Sequence, residues 1–285
     1  MESERRDSVL RAITDDGSFR VVALRTTDTV KGVVAAQRVK GDVARWMGEL
    51  VTGATLVRET MAPDLRVQAV LQSAVGRDAL IADSHPDGGA RALVQRTSGG
   101  SLVLGDGSVL QVTRTLPRGS AHKGVVKVEG EGGVSASLMA YLLESEQVAS
   151  AIAVCTVMDG DAVVAAGGYL VQLLPELAEA QLAVMTARLE DFPAMTTLLR
   201  DDATTPETLL AELLYLMPYT LVGEGAVSYR CRCDSQRLRA TLSTLPPKEL
   251  RELIAEGKDL EIECDYCHVE YRFPVSELKA LLAVD

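Results

Sequence analysis

Nowhere in these 285 residues does Gly-x-x-x-x-Gly-Lys followed by Ser or Thr occur, so the commonest phosphate-cradling loop is missing. The glycine-rich stretch 99–107 lacks the lysine and reads as a hairpin instead. Histidine is scarce. His85 and His122 stand alone, at a turn and near a strand start, and read as solvated or satisfied side chains; neither Ser84-His85 nor any other hydroxyl–histidine pair suggests a hydrolase. No apolar run reaches the roughly 20 residues that a membrane-crossing helix needs, and the longest spans residues 162–171. Residues 1–20 carry charges throughout and no apolar core of a signal peptide, so the expected location is cytoplasmic, with no membrane partner. Positive charge is in deficit, 29 Lys and Arg against 40 Asp and Glu, and the net −11 argues against nucleic-acid phosphates as the main partner. A soluble, protein-facing role fits better. Cysteine is also scarce, and its placement carries the strongest clue.

Four of the five cysteines fall in the last 55 residues, as Cys231-x-Cys233 and Cys264-Asp265-Tyr266-Cys267. In a reducing compartment such pairs hold metal or serve redox chemistry more often than they form permanent bridges. A zinc ion takes four ligands at tetrahedral corners with Zn–S of about 2.3 Å, which sets neighbouring sulfurs about 3.8 Å apart. C-x-x-C achieves this on a tight knuckle. C-x-C achieves it in an extended strand, where residues two apart share a face. All four cysteines are therefore candidate ligands of one zinc ion in a closed site, and His268 is a less favoured substitute. A domain this small builds only a few kcal/mol from its core, whereas structural zinc contributes roughly 10–16 kcal/mol in peptide systems. Disulfides within each pair would close such short loops that each contributes only about 1–2 kcal/mol. Oxidation would thus unfold this piece rather than lock it. Arg230, Arg232 and Arg237 flank the first pair and should favour its thiolates, while Glu261, Glu263, Asp265 and Glu270 surround the second and should disfavour them. Cys155 has no cysteine or histidine near it and reads as core filling.

Apolar residues make up 47% of the chain, ample for a sizeable core, and the length suggests about two domains. The pattern predicts an α+β fold: a mixed sheet-and-helix N-terminal domain over residues 1–175, a helical linker over 176–224, and a small zinc-binding redox-switch domain over 225–285. In the first, residues 19–24 and 65–71 read as strands, 42–61 as an amphipathic helix containing Trp46, and 109–115 and 124–129 as more sheet. Turns fall at Asp87-Gly88-Gly89, Gly99-Gly100 and Asp106-Gly107. Residues 148–158 form a strand, and 162–174, apolar on both faces, a central one. The linker holds nine acids against Arg188 and Arg200. Pro175 opens a helix whose apolar seam is Ala178, Leu182, Met185 and Leu189; Pro193 and Pro206 interrupt the polar stretch beyond it, and a second helix covers 207–217. In the last domain, residues 228–233 are extended, 235–245 and 247–255 helical, 259–263 and 269–273 strands, and 276–282 a closing helix.

These residues resemble the 33 kDa chaperonin family, the bacterial redox-regulated heat-shock chaperones. The resemblance rests on Cys231-x-Cys233 with Arg237, and on Cys264-Asp265-Tyr266-Cys267 with Tyr271 and Phe273. It rests independently on Tyr141, Ser145-Glu146-Gln147, Ala166-Gly167-Gly168 and Gln172-Leu173-Leu174-Pro175. The family's Gly-Pro-Leu-Gly turn is replaced by Ser73-Ala74-Val75-Gly76, and its Arg-Gly-Tyr by Arg91-Ala92-Leu93.

The resemblance implies an ATP-independent holdase, not an enzyme. In that family the reduced, zinc-bound form is inactive. Peroxide or hypochlorite with unfolding stress oxidises the cysteines, releases zinc and frees surfaces that hold unfolding or oxidised clients, which later pass to ATP-driven foldases; the oxidised form is expected to dimerise with itself. Oxidation is expected to pair Cys231 with Cys233 and Cys264 with Cys267, since sequence neighbours meet without rearrangement once the domain is unfolded. Ala178, Leu182, Met185 and Leu189 are the candidate client-binding residues. Two other readings compete. A thiol-disulfide oxidoreductase would use the C-x-x-C, although Cys264 does not open a helix in a thioredoxin-like βαβ pattern. A zinc-ribbon nucleic-acid binder is disfavoured by charge.

Overall fold

A computed structural model describes residues 6–97, 102–116, 119–128, 133–175 and 178–282. The expected Gly99-Gly100 turn, the end of the expected strand at Glu129, and the linker's first two residues lie outside these. The chain divides into two compact units, residues 1–230 and 231–285.

In the first unit the order is β1 (Ser8–Thr14), β2 (Phe19–Arg25), α1 (Thr27–Gln37), α2 (Gly41–Glu59), β3 (Arg66–Gln72), β4 (Ala79–Ser84), β5 (Gly89–Gln95), β6 (Val109–Thr115), β7 (Ala121–Lys127), α3 (Gly133–Glu144), β8 (Ser150–Asp159), β9 (Ala162–Leu173), α4 (Glu179–Glu190), α5 (Met195–Leu198), α6 (Pro206–Leu213), β10 (Tyr219–Ala226) and β11 (Ser228–Tyr229). The strands make a five-stranded sheet, β10-β1-β2-β9-β8, and a six-stranded sheet, β11-β5-β4-β3-β6-β7. The fold is α+β, as the residue pattern predicts.

The helix α2 departs from the expected amphipathic form. Every residue from Met47 to Glu59 is buried, because the helix packs against strands of both sheets and has no solvent face beyond its first turns. Its polar residues are satisfied locally: Thr52 Oγ1 donates to the Gly48 carbonyl at 2.8 Å, and Thr55 Oγ1 to that of Val51 at 2.9 Å. Around it one core joins Val22, Leu24, Val154 and Leu170 of the first sheet to Val67, Leu80, Leu110 and Val112 of the second.

The first sheet is apolar on both faces. Alternation along β2 sends Val22 and Leu24 to the shared core and Phe19, Val21 and Ala23 to a second one, where Met185, Met195, Leu199, Leu209, Leu210 and Leu213 of the linker cover them. The interior strand β9 is paired on both sides, to β2 and β8. There a Cβ on Gly168 would stand 2.4 Å from the Ala153 carbonyl oxygen, which accounts for glycine at that position.

The linker carries one element that helical periodicity does not show. Residues 219–226 are β10, an edge strand antiparallel to β1. The helix expected over 207–217 is accordingly α6, which begins at Pro206 behind a reciprocal Thr205–Thr208 capping box and stops at Leu213. Ser73-Ala74-Val75-Gly76 and Arg91-Ala92-Leu93 are both tied down by side-chain contacts. Ser73 Oγ accepts the Val103 N–H at 3.0 Å and holds the turn that ends at Gly76. On β5, Arg91 shares the fully buried Asp83 carboxylate with Arg66, at 3.0 and 2.5 Å. Burial raises the Asp83 carboxyl, but the two guanidiniums outweigh it and hold the group below its ordinary value.

The second unit comprises α7 (Ser235–Leu242), α8 (Pro247–Ala255), β12 (Leu260–Glu263), β13 (Glu270–Phe273) and α9 (Val275–Leu282). Its buried core is small: Leu242, Leu250, Phe273 and Leu278. Among the described residues no helix is long and apolar enough to cross a membrane.

Buried Glu49 on α2 sets a pH dependence. Burial pushes its carboxyl up to about 7 against the opposing charge of Arg45, 3.4 Å away. A carboxyl raised on folding binds its proton more tightly in the native state, so its contribution to stability is present below about pH 4.5 and is lost as pH rises toward 7. Glu49→Gln should remove that loss. Denaturant titrations should then show the variant about 1–3 kcal/mol more stable than the native protein at pH 8, with the advantage vanishing near pH 4. Parallel stability curves across that range would contradict the assignment.

Candidate metal centre

Two turns bring the sulfurs of the second unit together. Cys231 and Cys233 precede α7, whose first turn is capped by Asp234, the carboxylate accepting the Arg237 N–H at 2.7 Å. Cys264 and Cys267 lie on the turn joining β12 to β13. The Cys264 N–H donates to the Val269 carbonyl at 3.0 Å, and the N–H groups of Cys267 and His268 donate back to the Cys264 carbonyl at 3.3 and 2.8 Å. His268 takes a left-handed φ of 56° to close this knuckle. The β12–β13 ladder, with Ile262 opposite Tyr271, fixes both ends of the turn.

The four cysteines are unbridged, and their Sγ atoms all lie within 4.8 Å of one another. Cys231 stands 3.4 Å from Cys233 and 3.7 Å from Cys264, and Cys233 stands 3.3 Å from Cys267. A tetrahedral four-thiolate site needs about 3.8 Å between sulfurs, so the donor set fits a metal ion. His268 is not in this group, since its Nδ1 pairs with the Glu263 carboxylate. Among the described residues no other cluster of His, Cys, Asp or Glu gathers in this way. Cys233 lies as close to Cys267 as to Cys231, so the folded cluster by itself does not select disulfides between sequence neighbours.

Cys231 differs from the second pair. Burial works to raise the Cys231 thiol, yet hydrogen bonding to the Cys233 backbone N–H and to the sulfurs of Cys233, Cys267 and Cys264 outweighs it and holds the group at about 7. Cys264 and Cys267 are pushed up, first by burial and then by giving their own protons to neighbouring sulfurs; backbone donors, Tyr266 and Cys267 on one and Val269 on the other, only partly oppose this. The flanking arginines are not the cause. Arg237 is occupied by the Asp234 carboxylate at 3.2 Å and the Arg232 carbonyl at 3.0 Å, and Arg230 by Asp87 at 3.1 Å. The Tyr271 hydroxyl donates to Cys233 Sγ at 3.1 Å, and that bond holds the phenol proton, so its pKa is raised. A C-x-x-C on a strand-to-strand turn lacks the helix N-terminus that activates oxidoreductase thiols.

The other candidate residues are scattered. Cys155 is buried in β8, its thiol pushed up to about 11 by burial and then by the charge of Glu49. His85 is buried at the end of β4, and His122 is exposed on β7. Of the seam, Met185 is fully buried and Leu189 half-buried, while Leu182 is 39% exposed and Ala178 is the exposed residue preceding α4. Tyr271 escaped the sequence reading as a contact of the sulfurs. Its position four residues after Cys267, on the strand that leaves the knuckle, is the signal that places it there.

Known proteins match this chain along nearly its whole length. The family described as Hsp33 protein matches residues 7–274. A 33 kDa chaperonin of Syntrophotalea carbinolica is 30% identical over 98% of this chain and 100% of its own length, and one of Streptococcus sanguinis is 28% identical over 97% and 98%. The crystal structure of the 33 kDa chaperonin from Thermotoga maritima superposes with a TM-score of 0.82 at 23% identity, covering 98% of this chain and 99% of its own, which establishes the common fold. With the family matched from β1 through β13 and relatives aligned end to end, the chain belongs to the Hsp33 family.

Proposed function

We propose that this chaperone-family protein is a redox-regulated, ATP-independent holdase whose four-cysteine cluster binds one zinc ion and acts as its switch. The observation that carries the reading is the convergence of four unbridged sulfurs within 4.8 Å in a unit whose buried core, among the described residues, is Leu242, Leu250, Phe273 and Leu278. Zinc held by Cys231, Cys233, Cys264 and Cys267 would supply the crosslink that this core lacks. On exposure to peroxide, Cys231 and Cys233 close a disulfide, giving two electrons to one hydrogen peroxide, which becomes two waters. Cys264 and Cys267 do the same with a second. Four protons are taken up, and no thiolate remains to hold the metal.

Loss of the metal unfolds residues 231–285, and the linker opens with them. The linker is suited to opening. It carries nine acids against two arginines, its helices are short enough to be marginal on their own, and it is the cover over Phe19, Val21, Ala23, Val157 and Val171. Opening would bare that sheet face together with Ala178, Leu182, Met185 and Leu189, an apolar area fit to hold unfolding or oxidised client proteins. Clients would then pass to ATP-driven foldases, and oxidised copies would associate as homodimers.

Metal analysis of the reduced protein should give one zinc per chain, lost in Cys264→Ser and kept in Cys155→Ser. Absence of zinc from the native protein would overturn the switch. Light scattering of a heat-unfolded client should be suppressed by the peroxide-treated form and not by the reduced form; equal suppression by both would remove the redox control. On oxidation, hydrogen exchange should show residues 178–224 losing protection while β8 keeps it. Unchanged protection of the linker in an active chaperone would mean that clients bind elsewhere.

A further inference from the structure

One sulfur of the cluster accepts a hydrogen bond from a side chain outside the four cysteines: the Tyr271 hydroxyl donates to Cys233 Sγ at 3.1 Å. Tyr271 is held from two directions. Its backbone is paired to Ile262 in the β12–β13 ladder, and its ring packs against the core of Leu242, Leu250, Phe273 and Leu278, on the same side of β13 as Phe273. One rigid ring therefore spans the distance from the apolar core to the sulfur cluster.

We propose that Tyr271 is a positioning residue of the metal centre, whose hydroxyl fixes the Cys233 sulfur in the ligand set and withdraws electron density from it. A hydrogen bond to a thiolate has two effects. The sulfur is oriented toward the metal before the metal arrives, which raises affinity. The same bond lowers the nucleophilicity of the sulfur, so Cys233 is shielded from peroxide relative to the same sulfur without the donor. Tyr271 would thus set how strong an oxidative challenge trips the switch, while remaining outside the ligand set. The inference rests on the four-cysteine metal site proposed above.

Tyr271→Phe removes the hydroxyl and keeps the ring in its packing. Competition with a chromophoric chelator should show zinc held roughly 10–100-fold more weakly by the variant, and peroxide should release zinc from the variant faster at equal oxidant. Cobalt(II) substitution gives a readout that packing alone would not move. The thiolate-to-cobalt charge-transfer band of the full-length variant should shift to longer wavelength, because the Cys233 sulfur has become more electron-rich. A variant with native zinc affinity, native release rate and an unshifted cobalt band overturns the role of Tyr271 and leaves the metal site standing. A native protein that gives no thiolate–cobalt band at all removes the metal site, and this inference with it.

Discussion

The convergence of four sulfurs is the constraint on which the second unit depends. Among the described residues its two short helices, its two-stranded ladder and its closing helix bury a core of Leu242, Leu250, Phe273 and Leu278, and a core of that size supplies a few kcal/mol at most. A zinc crosslink, worth roughly 10–16 kcal/mol in peptide systems, would then decide whether these residues are folded, which is the premise of the proposed switch. Hydrogen bonds shared among the sulfurs hold the Cys231 thiol low, while burial first and then donation to neighbouring sulfurs push Cys264 and Cys267 up. A divalent metal would take the place of the shared protons and offset two of the four thiolate charges.

The first unit has the opposite economy. Its shared core draws on two sheets and the buried helix α2. What it has in surplus is apolar surface: the outer face of the five-stranded sheet is as apolar as the inner one and is covered by linker helices with little stability of their own. Within that cover Arg188 Nη1 donates to the Leu213 carbonyl at 2.9 Å and ties α4 to α6. In the proposed account, a large apolar face under a marginal, acidic cover and a small domain held by its metal would be the two halves of a switch.

Much of this was legible in the residues, for identifiable reasons. C-x-C and C-x-x-C constrain sulfur positions over two or three bonds of chain, so the cluster was readable, and Pro206 and Pro247 marked helix starts that the structure keeps. β10 was not readable. Tyr-Thr-Leu-Val-Gly-Glu-Gly-Ala contains two glycines and a glutamate, and it becomes a strand by pairing with β1, some 200 residues earlier in the chain. The seam of α4 was half readable. Periodicity shows that Ala178, Leu182, Met185 and Leu189 share a face, but not that the sheet beneath reaches Met185 and stops short of Leu182. The sequence ascribes a difference between the pairs to flanking charges, but Arg237 and Arg230 are occupied by Asp234 and Asp87, whereas burial and contacts among the sulfurs shift Cys231, Cys264 and Cys267.

The most direct test of the account is a two-dimensional amide NMR spectrum of the reduced full-length protein, recorded before and after a zinc chelator. The account predicts that resonances of residues 231–282 collapse to unfolded positions on metal removal while those of α2, β2 and β9 keep their dispersion. Resonances of residues 231–282 that stay dispersed without metal would show that this unit folds unaided, and the sulfur cluster would then not be the switch.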